Sequence, residues 1–361
     1  MSDPEVIVCA GGGGVGKTTA SAALALALAR RGRRALIVSI DPARRLADAM
    51  GVALDGQARL VSLETPERQL YGLMPDPRRA MRTFIEILFE NQPEALTRLL
   101  DNRLYQVLED AVPGIHELVA MTLAARAVAA HGIEVVIIDT APSRYALDFV
   151  QYPGRLAKLL GGRAVGWLAR IAQRAQGPEE RSSKTSASRV ERLLAWVLGP
   201  VVTDVAGLFA EMALVREPFV ALNEQTSHLL LGPATRYVVV AAPTEAAEAD
   251  ARFLVDQLAK LTTTGARALV LNGALSPDRV FRDILLDAPQ TTAAMRAVLG
   301  DLDQEWASRA ESVQAISDAL ARRYPALPQI RLPHVERADP RGIVEALALA
   351  FDVELGRLGL G

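Results

Sequence analysis

The amino-acid sequence predicts an α/β protein with a doubly wound, mostly parallel sheet and an inserted helical subdomain. Two apolar runs of strand length, residues 6–10 and 135–138, contain no charged residue, which is typical of parallel strands covered on both faces. Strand patterns alternate with helical patterns along the chain, as in doubly wound folds. At 361 residues the chain exceeds the usual size of one core, so we expect two domains or a large insert.

The segment after the first strand has the pattern of a phosphate-binding loop between a strand and a helix. Its glycines let backbone N–H groups turn toward an anion at a helix N-terminus, where the helix dipole also favours negative charge. Lys17 would reach the β- and γ-phosphates of a nucleotide, and the Thr18 hydroxyl would hold Mg²⁺. A glycine-rich turn without a ligand is the alternative interpretation. The predicted nucleotide-binding residues are Gly11, Gly12, Gly13, Gly14, Val15, Gly16, Lys17, Thr18 and Thr19.

Two aspartates follow strand patterns on the same side of this loop. Asp41 comes after the apolar run 34–40, and Asp139 comes after 135–138. Ligands of open α/β sheets bind beyond the carboxyl ends of the strands, so both carboxylates are expected at the nucleotide. Asp139 lies where a carboxylate holds a Mg²⁺-bound water beside Thr18. Asp41 is a candidate for orienting the attacking water, although Asp41-Pro42 is also typical of a plain turn.

Composition excludes several classes of function. The formal charge is −2 and the pI is about 6.2, without a basic stripe, so nucleic acid is not expected as a partner. The single cysteine, Cys9, forms neither an intrachain disulfide nor a multi-thiolate metal site. The N-terminus enters a strand pattern without a leader, which favours a cytoplasmic location. The most apolar long segment, 198–214, is interrupted by Asp204 and Glu211, so no membrane span is expected.

The predicted nucleotide-binding domain is discontinuous and consists of residues 1–78, 105–152 and 232–361. The helical insert is predicted at 79–104 and 153–231. Within it, the polar and serine-rich segment 173–189 has the composition of a mobile linker.

The motifs together resemble a known family. With Asp139-Thr140-Ala141-Pro142 beside Asp41-Pro42-Ala43 and the glycine loop, the chain resembles the ATPases that drive arsenical pumps and the ATPase that guides tail-anchored membrane proteins. The likeness extends over most of the chain and further includes Asp76-Pro77, Pro113-Gly114 before Glu117, Glu245, Asn272, and Pro333 with Glu336.

This resemblance implies an ATPase that uses ATP and Mg²⁺ and works as a molecular switch. Asp41 would be the switch I aspartate that polarises water, and residues 139–144 would form switch II. Asn272 would read the adenine, Pro333 would lie over the base, and Glu245 would lie near a ribose. The family also implies a dimer around two ATP molecules and a helical insert that moves with the switches and binds a protein client, including membrane proteins.

Departures from the family pattern leave two hypotheses open. Relatives carry a second lysine five residues before the P-loop lysine, where this chain has Gly12; Arg44, Arg45 and Arg144 are candidate substitutes. The chain is therefore either a self-sufficient ATPase switch or a nucleotide-binding regulatory or scaffold subunit with weak activity. The first acts as a homodimer and the second in a hetero-oligomer with a paralogue. Cys9 alone excludes an arsenite site with three thiolates, and the paired zinc cysteines of some relatives are missing.

Overall fold

The computed structural model describes residues 3–41, 45–61, 69–76, 78–108, 115–141, 204–205, 207–274, 292–336 and 339–358. Contacts between residues divide the chain into two units. One comprises the described residues within Met1–Met74, Arg126–Leu147 and Leu229–Gly361, and the other those within Pro75–Ala125 and Asp148–His228. We call them the sheet unit and the helical unit. The predicted domain bounds, including the helical insert, stay a prediction, and the predicted linker at 173–189 lies outside the described residues.

The sheet unit contains eight strands in the order β3-β4-β2-β5-β1-β6-β7-β8. Every neighbouring pair is parallel except β3 with β4. This arrangement confirms the predicted α/β class. The strands are β1 (Glu5–Gly11), β2 (Ala35–Ser39), β3 (Arg59–Val61), β4 (Leu70–Leu73), β5 (Val135–Asp139), β6 (Thr235–Ala241), β7 (Ala266–Ala274) and β8 (Gln329–Pro333).

Helices cover both faces of this sheet. Helix α1 joins β1 to β2, on one side of β1 in the sheet, whereas α8 joins β6 to β7 on the other side. Because such crossovers are right-handed, the two helices lie on opposite faces, and the winding is double. The helices are α1 (Lys17–Arg30), α2 (Arg45–Met50), α3 (Ala80–Leu88), α4 (Pro93–Leu100), α5 (Arg103–Leu108), α6 (Ile115–His131), α7 (Arg216–Leu231), α8 (Glu245–Leu261), α9 (Ala293–Arg323) and α10 (Pro340–Leu358).

The site-bearing helix α1 is held on almost all sides. Beyond its first turn it consists of alanine, leucine and one serine up to Arg30, and this alanine and leucine content strongly favours a helix. Residues 20–29 are all buried, and α1 packs against α10, α2 and the sheet. A helix buried in this way fixes the position of the loop that precedes it.

The helical unit has its own apolar core. It contains Phe84 of α3, Phe89 directly after α3, Leu99 of α4 and Phe219 of α7. The rings of Phe84 and Phe219 meet edge to face, with 6.0 Å between their centroids. Helices α3 and α4 are separate because Pro93 cannot continue a helix but is favoured at the first position of one, and it begins α4. Among the described helices of both units, none is long and apolar enough to cross a bilayer.

Candidate nucleotide-binding site

The predicted phosphate loop runs from the end of β1 into the first turn of α1. Gly14 and Gly16 have φ angles of 73° and 77°, in the left-handed region that favours glycine. Gly16 is the N-cap residue of α1, and no side chain caps the helix. The first N–H groups of α1 are therefore available to an anion, with the helix dipole behind them.

A cavity of about 340 Å³ opens above the loop. Its walls come from the loop, from α2 and from the first residue of α10, all within the sheet unit. The size is in the range of small-molecule sites. The lining residues are Gly12, Gly14, Val15, Gly16, Lys17, Thr18, Thr19, Arg45, Asp48, Ala49 and Pro340.

Lys17 and two carboxylates form the charged centre of the site. The Lys17 side chain lies in this cavity, yet the residue is only 5% exposed. Burial lowers the pKa of Lys17, and the charges of Asp139 and Asp41 oppose that effect. All three predicted charged residues therefore come together, and the buried carboxylates favour the ammonium form that a phosphate requires.

Asp139 is fully buried at the end of β5, between Cys9 of β1 and Ser39 of β2. The Ser39 hydroxyl donates to Asp139 Oδ2 at 3.3 Å. Asp139 Oδ1 is also buried, but no described residue donates a hydrogen bond to it. Burial raises the pKa of Asp139 to about 6, although the Lys17 charge lowers it. An ionised carboxylate with one oxygen left unpaired fits a Mg²⁺-bound water, and the neighbouring Thr18 would supply a hydroxyl ligand to that metal.

Asp41 lies two residues beyond the end of β2 and is 5% exposed. Arg45 Nη1 is 3.8 Å from Asp41 Oδ2, which is an ion pair between residues four apart in the sequence. The Asp41 backbone is also held, because the Ser39 hydroxyl lies 3.4 Å from its carbonyl oxygen. The buried carboxylate is thus fixed near Lys17.

Asn272 supports the phosphate loop from β7. Its Nδ2 donates to the Val15 carbonyl oxygen at 3.0 Å. A β-carbon on Gly16 would overlap the same amide nitrogen. A carbonyl oxygen only accepts, so this contact fixes the amide orientation and leaves Asn272 Oδ1 as an acceptor on the other side.

Glu245 and Pro333, which the resemblance places near a ribose and over the base, lie outside the phosphate cavity. Glu245 is exposed at the first position of α8, directly after the capping Thr244, whose hydroxyl accepts from the Ala247 N–H at 3.3 Å. Pro333 is exposed at the end of β8, beside Ala274 of β7. Neither residue lines the phosphate cavity.

Gly12 is packed against α8. A β-carbon at this position would lie 2.5 Å from Asp250 Oδ2 and 3.4 Å from Asp250 Cγ. Real β-carbons essentially never show the shorter distance, so a side chain at position 12 would have to displace Asp250. The Asp250 carboxylate thus lies beside the position at which the resemblance implies a second lysine.

Sequence reasoning did not place Asp48, Ala49 and Pro340 at the site. Asp48 and Ala49 lie three and four residues after Arg45 on α2, so the helical spacing would have placed them on the same face as Arg45. Nothing local marks Pro340, because α10 reaches the cavity only by packing on α1 and α2. Arg45 was one of three candidate cations; the other two, Arg44 and Arg144, lie outside the described residues.

Comparison with known protein sequences identifies the family of this chain. The sequence profile of a family described as anion-transporting ATPase matches residues 4–192, more than half of the chain. The chain belongs to the anion-transporting ATPase family. The match includes the glycine loop, Asp41 and Asp139, and it confirms the resemblance on which the site was assigned.

Individual relatives of this anion-transporting ATPase match over a shorter span. The ATPase get3 of Aspergillus terreus is 34% identical over 154 residues, which is 43% of this chain and 44% of that protein. The ATPase GET3 of Ajellomyces dermatitidis is 32% identical over 155 residues, with 43% and 45% covered. The ATPase get3 of Aspergillus niger is 33% identical over 154 residues. The chain thus matches less than half the length of these relatives.

Proposed function

We propose that this member of the anion-transporting ATPase family binds ATP with Mg²⁺, hydrolyses it, and uses the nucleotide state as a molecular switch. The observation that carries the proposal is the convergence of a buried Lys17 with Asp41 and Asp139 at a glycine loop whose N–H groups are uncapped. A neutral ligand would not need this arrangement of N–H donors and a buried cation.

Each residue then has a distinct role. The loop N–H groups and Lys17 bind the β- and γ-phosphates, and Lys17 offsets their negative charge. Thr18 and, through a water on its Oδ1, Asp139 hold Mg²⁺, which supplies further charge neutralisation when bound. Asp41 accepts a hydrogen bond from the attacking water and orients its oxygen toward the γ-phosphorus.

The base site and the switch output are part of the proposal. Asn272 Oδ1 is an acceptor that suits the amino group of adenine, while Pro333 covers the base and Glu245 lies near a ribose. The helical unit is the element that responds to the nucleotide and binds a protein client. Similarity to the ATPases named GET3 supports a dimer and a client of the tail-anchored membrane-protein class.

The second candidate is a regulatory or scaffold subunit that binds ATP but hydrolyses it slowly outside a hetero-oligomer. Gly12 favours it, because glycine presents no cation at the position where the resemblance implies a lysine. A missing finger cation can reduce the rate by about 10³- to 10⁵-fold.

Steady-state hydrolysis of ATP with Mg²⁺ by the full chain separates the two candidates. The set contains the wild type, Lys17→Ala, Asp41→Asn and, as a control, Arg59→Ala, which breaks an exposed pair with Asp55 on the surface. The switch predicts turnover in the wild type and Arg59→Ala, a loss of at least about 100-fold in both site variants, and an ATP-dependent dimer by native mass. ATP binding with neither turnover nor a dimer would favour the regulatory subunit, whereas equal turnover by Lys17→Ala would contradict the proposal.

A further inference from the structure

Two cations line the phosphate cavity among the described residues, Lys17 and Arg45. Lys17 is committed to the loop and is almost wholly buried. The Arg45 side chain is 58% exposed, and its backbone is fixed at the start of α2. Lys17 is therefore a buried cation of the phosphate loop, whereas Arg45 is an exposed cation at the edge of the cavity.

The contact of Arg45 with Asp41 is a weak one. At 3.8 Å, Arg45 Nη1 is beyond hydrogen-bond distance from Asp41 Oδ2. The guanidinium is mostly in solvent, where an ion pair adds little and side-chain entropy opposes it. The Arg45 charge is nevertheless close enough to Lys17 to contribute to the lowering of the Lys17 pKa. The guanidinium can thus leave Asp41 at small cost and enter the space beside Lys17.

Phosphoryl transfer needs such a cation. In nucleotide hydrolases, an arginine supplied in cis or by a partner stabilises the charge that spreads over the γ-phosphate oxygens. Position 12 is glycine here and supplies no cation. Arg45 is the second cation that already lines the cavity within the same chain.

We propose that Arg45 is a cis arginine that recognises the γ-phosphate. Its guanidinium exchanges its ion pair with Asp41 for one with the γ-phosphate. Without a γ-phosphate, the guanidinium pairs with Asp41; with ATP bound, it pairs with the γ-phosphate oxygens and frees Asp41 for the attacking water. In hydrolysis the water oxygen bonds to the γ-phosphorus, the bond from that phosphorus to the bridging oxygen of ADP breaks, and the water proton passes toward Asp41. This inference rests on the proposed ATPase function.

The exchange predicts selectivity for the nucleotide state. A guanidinium pairs with phosphate through two parallel hydrogen bonds, which are stronger than its present long contact with one carboxylate oxygen. ADP lacks the γ-phosphate, so Arg45 stays with Asp41 and adds nothing to ADP binding. Asp41 therefore competes with ATP for Arg45, and removing its charge should strengthen ATP binding.

A double-mutant cycle on the full chain tests the exchange. Calorimetric affinities with Mg²⁺ are measured for AMP-PNP and for ADP on the wild type, Arg45→Ala, Arg45→Lys, Asp41→Asn and the double variant. Arg45→Ala is expected to weaken AMP-PNP by about 10-fold or more while ADP changes less than about twofold, and Arg45→Lys should recover part of the loss. Asp41→Asn is expected to strengthen AMP-PNP binding about threefold or more, and the double variant should show no such gain. ATP turnover should fall by at least about 100-fold in Arg45→Ala.

Arg59→Ala is the matched control, since it removes an Asp–Arg pair of the same spacing away from the cavity. Its affinities and turnover should equal those of the wild type. Equal weakening of AMP-PNP and ADP by Arg45→Ala, or the same gain from Asp41→Asn with and without Arg45, would overturn the exchange while leaving the ATPase function in place. If neither nucleotide bound to the wild type, both proposals would fail together.

Discussion

Gly16 is the residue at which the loop tolerates least change. Its φ of 77° is in the left-handed region, and an added β-carbon would overlap the Asn272 amide. Left-handed strain costs about 1–2 kcal/mol in an L-residue, and overpacking adds about 1–3 kcal/mol. Gly16→Ala is therefore expected to lower the free energy of unfolding by about 2–4 kcal/mol in urea titrations without nucleotide. Gly13 has open space around it, so Gly13→Ala should change the free energy of unfolding by less than about 0.5 kcal/mol. Equal losses of stability in Gly16→Ala and Gly13→Ala would show that the left-handed backbone and the Asn272 contact do not limit position 16.

In the proposed function, Asn272 links the phosphate loop to base selection. Asn272 Nδ2 donates to the Val15 carbonyl oxygen, so its Oδ1 is available to accept a hydrogen bond from the amino group of adenine. Guanine carries an acceptor oxygen in place of that amino group and would not donate to Oδ1. Asn272→Ala is expected to weaken ATP binding about 5- to 10-fold and to abolish a preference for ATP over GTP. Competition binding with both nucleotides measures this. A retained preference would leave Asn272 only as a support of the loop.

The elements that carry the site were predictable because their signals are local. Apolar runs predicted β1, β2 and β5, and Asp139 stands at the end of β5 as expected. Strand β3 was missed, since three residues with two exposed are too short to show a period. The contact of Pro340 with the cavity depends on how α10 packs, which no local pattern encodes.

Helix α6 carries a half-buried acid, Glu117, whose charge opposes folding. Burial raises the pKa of Glu117 above its usual value. The folded state therefore favours the protonated form of Glu117. The stability that protonated Glu117 contributes is present below the ordinary pKa of glutamate and is lost as the pH rises through the raised pKa of the folded state. Glu117→Gln should thus be stabilising relative to wild type at pH 8, with a smaller difference near pH 4. Chemical denaturation at both pH values, with the exposed Glu224→Gln as control, checks this; a difference that grows toward low pH would contradict it.

At the scale of the molecule, ligand binding and stability are linked through the sheet unit. A ligand that binds only the folded state adds about 2.7 kcal/mol at 100 times its dissociation constant. MgATP at that concentration is expected to raise the midpoint of thermal unfolding of the wild type by several degrees. Lys17→Ala should show no such rise at the same concentration, and Arg59→Ala should behave as the wild type. A rise in Lys17→Ala equal to that of the wild type would place the nucleotide elsewhere.

Hydrogen exchange read by mass spectrometry, with and without MgATP, tests most directly that residues 11–19 hold the phosphates. Amides of the peptide spanning 11–19 are expected to exchange more slowly with the nucleotide, together with amides around Asp139, and Lys17→Ala is expected to lose this protection. Unchanged exchange at 11–19 in a wild-type sample saturated with MgATP would show that this loop does not hold the phosphates.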